Sequence, residues 1–168
     1  AENAAEFRYR DPILNHRTLV VSVGQSGETA DTLGAMEVAQ HRGALQIAIC
    51  NVEGSQATRM SDGVIYMRAW PEKGVAATKT FTASLMSLFL LSVHLGTLRH
   101  HLPRDHMPKI IEDLVKIPEI VRSILEDTSS YEALAQKYYK AEHFLFVARG
   151  INYPIALEGA LKLKEISY

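Results

Sequence analysis

Residues 18–23, Thr-Leu-Val-Val-Ser-Val, form a short β-branched run without alternation of polar and apolar side chains. A strand of that kind belongs in a parallel sheet covered on both faces, because a strand with one wet face alternates. The run leads directly into Gly24-Gln25-Ser26-Gly27-Glu28-Thr29. Ala30 to Arg42 follows, with Leu33, Met36, Val38 and Ala39 at near-helical spacing and Gly43 in the C-cap position. Leu45 to Val52 is a second buried-type strand. Strand, tight loop, helix and strand in this order make a βαβ unit, whose crossover is right-handed. The unit commits the chain to an α/β fold and sets the 24–29 loop at the carboxyl end of the first strand.

A helical turn at Ser55 to Met60 and a third strand at Gly63 to Met67 continue the pattern. The Pro71 to Gly74 loop then leads to a long apolar helix from about Thr78. Thr80 to Leu98 carries no Asp, Glu, Lys or Arg, close to the length of about 20 residues that a bilayer demands. Thr82, Ser84, Ser87, Ser92, His94, Gly96 and Thr97 interrupt it, so a buried helix of a layered soluble fold is expected rather than a membrane span. Past a polar, proline-bounded connector at His100 to Pro108, two amphipathic pieces are expected, one carrying Ile110 to Ile117 and one Ile120 to Leu125, parted near Pro118. A second cycle then begins. Tyr131 to Lys140 is helical in pattern, Phe144 to Ala148 reads as a buried strand, Arg149 to Pro154 as a turn, and Ile155 to Tyr168 as a helix. One strand cannot make a sheet and the first residue is Ala, so the expectation is an internal piece of a longer protein.

Charge and cysteine content narrow the partners. Eighteen Lys and Arg against nineteen Asp and Glu give a net charge of −1, with no basic excess to attract nucleic acid or an acidic membrane. A single cysteine, Cys50, forms no intramolecular disulfide, which points to a reducing, cytoplasmic compartment. His100, His101 and His106 match no metal-ligand spacing, and neither metal nor cofactor is expected.

Two constellations carry chemistry. In the first, two glycines at 24 and 27 let a ligand approach the backbone, while Ser26 and Thr29 offer hydroxyls and Gln25 an amide. At the start of a helix, free N–H groups and the dipole favour an anion, and the carboxyl end of a buried strand is where open α/β sheets bind ligands. The competing reading is a helix cap on Ser26 or Thr29. The second is Glu158, Lys162 and Glu165, which fall on one narrow stripe of the last helix. Leu157, Leu161, Ile155 and Ile166 flank it, so partial desolvation could fit a carboxylate for general-base work. A surface ion pair in the favourable Glu-to-Lys order is the alternative.

Gly24 to Thr32 (Gly-Gln-Ser-Gly-Glu-Thr-Ala-Asp-Thr), Ile49 to Val52 (Ile-Cys-Asn-Val), Gly74 to Thr82 (Gly-Val-Ala-Ala-Thr-Lys-Thr-Phe-Thr) and Ala156 to Tyr168 together resemble the glucosamine-6-phosphate synthase family, in the family's order. The likeness is to its isomerase half, built from two sugar-isomerase (SIS) domains. It implies a three-layer, parallel-sheet, flavodoxin-like SIS fold, with most of a first SIS domain at 1–103, a helical connector at 104–130 and the start of a second domain at 131–168. The reaction implied turns fructose 6-phosphate and glutamine-derived ammonia into glucosamine 6-phosphate. A glutamine amidohydrolase domain releases the ammonia, and members are homodimers. By the same resemblance, Gln25, Ser26, Gly27 and Thr29 bind the sugar phosphate and the Val75 backbone touches the sugar. Glu165 carries a proton between C1 and C2, with Lys162 and Glu158 assisting.

Two positions depart from the family pattern: Gly24 and Ala77 each stand where a serine is usual. The family's nucleophilic cysteine, ring-opening histidine and Schiff-base lysine are not in the chain, so this piece alone is expected to be inactive. Other readings of an SIS chain are a phosphosugar-sensing module of a transcriptional regulator, a one-domain ketose/aldose isomerase, and a two-domain amino-sugar phosphate deaminase or deglycase. A regulator has no use for the Glu158, Lys162 and Glu165 stripe.

Overall fold

A computed structural model describes residues 1–167 and divides the chain into two units, Ala1–Ser92 and Val93–Tyr168. The first unit opens with a single helical turn, α1 (Ala4–Phe7), capped by the Asn3 side chain. It is built around three parallel strands in the order β1 (Leu19–Val23), β2 (Leu45–Cys50) and β3 (Gly63–Tyr66). Val21 pairs with Ile47, and Ile49 with Ile65. Helix α2 (Ala30–His41) joins β1 to β2, and the short α3 (Gln56–Met60) joins β2 to β3. The expected βαβ unit is present.

Helix α2 stops where the sequence places its glycine. Gly43 sits at φ +72°, and its N–H reaches the Gln40 carbonyl at 2.9 Å while the Ala44 N–H reaches Ala39 at 3.0 Å. That pair of bonds is the Schellman arrangement, which satisfies carbonyls a helix end would leave bare. Leu33 and Met36 of α2, Ala48 of β2 and Ala57 of α3 form the core cluster, with Met60 packed against it. Successive strand residues face opposite sides. Ile49, on the face away from Ala48, is also fully buried, so the sheet is covered on both sides as its unalternating strands require.

Helix α4 (Lys79–Leu98) departs from expectation in its burial. Only Thr80 and Ser87 are buried, whereas Leu85, Phe89, Leu90 and Leu98 are exposed. Three strands of four to six residues offer too little face to cover a 20-residue helix, about 30 Å long. By length and composition α4 could cross a membrane; its hydroxyls instead bond back along the helix, Ser84 to Thr80 and Ser87 to Ala83.

In the second unit, a 3₁₀ turn (Arg104–His106) precedes α5 (Met107–Glu126), followed by α6 (Ser129–Tyr138), a second 3₁₀ turn (Gly150–Asn152) and α7 (Tyr153–Ser167). Two expectations are corrected. The two pieces parted near Pro118 are one continuous helix, α5. Pro118 costs the bond its N–H would have made to Leu114, but ten or so bonded residues on each side carry the helix through. The strand expected at Phe144 to Ala148 is extended backbone with no ladder: Leu145 and Val147 are 89% and 81% exposed. Strand propensity reflects fit to a pleated, half-buried surface, and no described neighbour supplies one. The expected helix end at Tyr168 lies outside the described residues.

Candidate functional site

The 24–29 loop is held from below by backbone bonds at both ends. The Gly24 N–H donates to Ile49 O at 3.0 Å, and the Asn51 N–H donates to Gln25 O at 2.9 Å. At Gly27 the chain turns through φ +68°, and its carbonyl accepts from the Ala57 N–H at 3.0 Å. A Cβ at Gly27 would lie 2.8 Å from Ser55 Cβ and nearer still to its hydroxyl, so only glycine fits. Glu28 then folds its carboxylate onto the Gln56 N–H at 2.7 Å, capping α3. This is a rigid loop with its donors turned away from the contacts that fix it.

What remains unspent decides between cap and cradle. Thr29 occupies the N-cap position of α2 yet its hydroxyl makes no cap bond. The Ser26 hydroxyl accepts only from Glu28 N–H, within the loop, at 3.2 Å. Among the described residues, the N–H groups of Ser26, Gly27, Thr29, Ala30, Asp31 and Thr32 donate to no protein acceptor. The helix-cap reading of this loop is therefore not the arrangement adopted. Gly24, Gly27, Thr29, Thr32 and Cys50 line a small cleft here. Cys50 itself is buried, its thiol near Val52 O and the Ser55 hydroxyl.

All three strands are parallel, so the loops after β1, β2 and β3 emerge at one edge of the sheet. The third carries Val75, whose side chain is 92% exposed. Glu72 pins that loop to the start of α4. One of its carboxylate oxygens accepts from the Thr78 N–H, the Thr80 N–H and the Thr80 hydroxyl, each at 2.9 Å, and the other faces the Thr78 hydroxyl at 3.4 Å. These bonds, the Thr80 and Thr78 N–H groups first, draw the Glu72 pKa down to about 2.

In the second unit, helix geometry alone brings Glu158, Lys162 and Glu165 together on α7. The Lys162 ammonium lies 2.5 Å from Glu165 and 3.4 Å from Glu158, with side-chain exposures of 22 to 28%. The Glu165 contact is the main cause of a Lys162 pKa raised above the ordinary lysine value. Leu157, Leu161, Ile155 and Ile166 are themselves exposed in this unit, so the shielding expected of them is slight.

Sequence reasoning passed over Glu72, Glu28, Ser55 and Asn51. The Asn51 side-chain oxygen is buried beside the loop with no partner. A sequence signal existed only for Glu72, as the lone acid ahead of a helix whose first turn holds no acid.

Three parallel strands with a glycine-bearing loop opening onto an uncapped helix define an α/β ligand-binding domain, and the SIS-domain family profile matches residues 1–93. The chain belongs to the SIS-domain family. It is 46% identical over 164 residues to glutamine–fructose-6-phosphate aminotransferase (isomerizing) of Methanosarcina acetivorans, and 46% over 167 residues to that of Mycolicibacterium smegmatis. These matches cover 98% and 99% of this chain but only 26% and 27% of those proteins. The solved C-terminal domain of glucosamine-fructose-6-phosphate aminotransferase from Francisella tularensis superposes with a TM-score of 0.94 at 39% identity, covering 99% of this chain and 48% of that one. A phosphosugar isomerase structure from Bacillus subtilis, at 22% identity and a TM-score of 0.72, shares the fold. The SIS fold and the likeness to this aminotransferase, both expected from sequence, are thus present.

Proposed function

We propose that this chain is the sugar-phosphate-binding part of the isomerase half of a glutamine–fructose-6-phosphate aminotransferase. The observation that carries the reading is the open start of α2, where six N–H groups and the Thr29 hydroxyl face no protein acceptor. A phosphate dianion placed there gains hydrogen bonds and the helix dipole together. Gln25, Ser26, Gly27 and Thr29 hold the phosphate of fructose 6-phosphate, and the Val75 backbone meets the sugar. Gly24 supplies no hydroxyl, but it leaves space: no heavy atom lies within 4 Å of a Cβ built there.

Glutamine-derived ammonia adds to the sugar's C2 carbonyl, and the resulting ketimine rearranges to the aldose glucosamine 6-phosphate. Glu165 carries the proton between C1 and C2, and Lys162, bonded to it, fixes the carboxylate in one rotamer while Glu158 holds Lys162 from the other side. The relatives' names support this reading through their 46% identity. The 1–103, 104–130 and 131–168 division, an amidohydrolase domain as the ammonia source, a homodimer, a cytoplasmic setting, and no part for nucleic acid or membrane complete the proposal.

Titration with fructose 6-phosphate, followed through the amide resonances of residues 24–32, tests the cradle. Shifts there at millimolar ligand are expected, and their absence overturns the reading. In a chain extended to its relatives' length, Glu165→Gln abolishes glucosamine 6-phosphate formation while those shifts persist; retained activity refutes the role of Glu165.

A further inference from the structure

The first unit has two helices of at least twelve residues starting at the same edge of its sheet, α2 after β1 and α4 after β3. Neighbouring strands lie about 4.8 Å apart, so the ends of β1 and β3 are separated by about 10 Å. Each helix start offers N–H groups and the positive end of a dipole. Left alone, both would attract anions, and a sugar carrying a phosphate at each end could bridge them.

The two starts are not alike. That of α2 is unspent, as described above. That of α4 is taken: Glu72 accepts from the N–H groups of both Thr78 and Thr80 and from the Thr80 hydroxyl, and Thr80 is 1% exposed. No acidic residue lies in the first turn of α4, and Lys79, the one cation there, turns its ammonium to the Pro71 carbonyl at 2.8 Å. A carboxylate brought from seven residues upstream of the helix therefore fills the position that an incoming anion would need. It also ties both ends of the 73–77 segment, which presents Val75 to solvent.

We propose that Glu72 is a specificity-determining residue: it closes the α4 helix start to a second anionic group, so that the site takes a sugar with one phosphate, held at α2, and an uncharged far end toward residues 73–77. The inference rests on the proposed phosphate site at α2. A bisphosphate meets the Glu72 charge at the end where a monophosphate presents a hydroxyl. Like charges at a helix start act against binding by the same physics that makes opposite charges favourable there.

The experiment compares fructose 6-phosphate with fructose 1,6-bisphosphate, titrated into the wild-type chain and into Glu72→Gln, with amide resonances of residues 24–32 and 78–80 as readouts. Glutamine keeps the carboxyl's shape and one acceptor oxygen but removes its charge. In the wild type, both ligands are expected to shift residues 26–32, neither to shift Thr78 or Thr80, and the bisphosphate to bind no tighter than the monophosphate. In Glu72→Gln, the bisphosphate-to-monophosphate affinity ratio rises about five-fold, the scale of one charge at a helix end, and the Thr78 and Thr80 amides begin to shift. Glu72→Asp, which keeps the charge, retains the wild-type ratio. An unchanged ratio in Glu72→Gln, with residues 26–32 still responding to the monophosphate, overturns the inference and leaves the phosphate site standing. Wild-type shifts at Thr78 and Thr80 with the bisphosphate overturn it without recourse to any variant. No response at residues 26–32 to either ligand overturns the phosphate site and the inference together.

Discussion

Replacing Gly27 by alanine tests the construction of the loop most directly. The residue sits at φ +68°, a conformation that costs an L-residue with a Cβ about 1–2 kcal/mol. The new methyl also lands 2.8 Å from Ser55 Cβ and closer to its hydroxyl, and overpacking of that kind costs about 1–3 kcal/mol. Ser55 is buried and heads α3, so it cannot swing away without moving the Ala57 N–H off the Gly27 carbonyl. The expected loss is about 2–5 kcal/mol, which for a unit of this size lowers its melting temperature by roughly 10–25 °C. Urea titration with hydrogen exchange on β2 amides reads the first unit separately from the second.

Two comparisons isolate the cause. Gly24→Ala, at a position without positive φ and with no atom within 4 Å of the new methyl, changes stability by less than about 0.5 kcal/mol. A cycle with Ser55→Gly recovers the steric part of the Gly27→Ala loss, leaving about 1–2 kcal/mol from backbone conformation alone. If Gly27→Ala proves as mild as Gly24→Ala, or shows no coupling to position 55, the reasoning about this loop is refuted.

Three further outcomes follow from the same contacts. Glu72 has a folded pKa of about 2 against an ordinary 4.5, so the unfolded chain binds the extra proton first; its contribution to stability is full above pH 4.5 and fades as pH falls toward 2. Urea titrations between pH 2 and 6 should show this acid loss in the wild type and a flatter profile in Glu72→Gln; superimposable profiles contradict it. Met36→Ala, emptying a side chain that is 1% exposed against Leu33 and Ala48, costs about 2–5 kcal/mol by chemical denaturation, and a loss under 1 kcal/mol argues that the cluster is not the core. Amides of residues 144–148 exchange as fast as those of open loops, because they enter no ladder; protection matching β2 contradicts the extended, unpaired assignment.

Local chemistry made much of this molecule legible in advance. The βαβ unit follows from β-branched runs around a 3.6-residue pattern that Gly43 ends, and each signal acts over a few residues. The Glu158, Lys162 and Glu165 triad needed no tertiary information either, since residues three and four apart on a helix are neighbours wherever it packs. The same locality explains the misreadings. Pro118 breaks one hydrogen bond, and sequence alone does not weigh that against the rest of a 20-residue helix. The 144–148 run has strand composition, but a strand exists only through the partner that pairs with it.

From the amino-acid order alone came a parallel α/β sheet, a glycine-containing anion loop and a charged stripe on the last helix. Only the tertiary structure decided how the two helix starts differ. It brings Ser55 under Gly27, leaves the α2 N–H groups free, and turns Glu72 back onto Thr78 and Thr80. Hydrogen bonds form between groups that packing sets about 3 Å apart, and spacing along the chain does not specify that distance once the backbone turns.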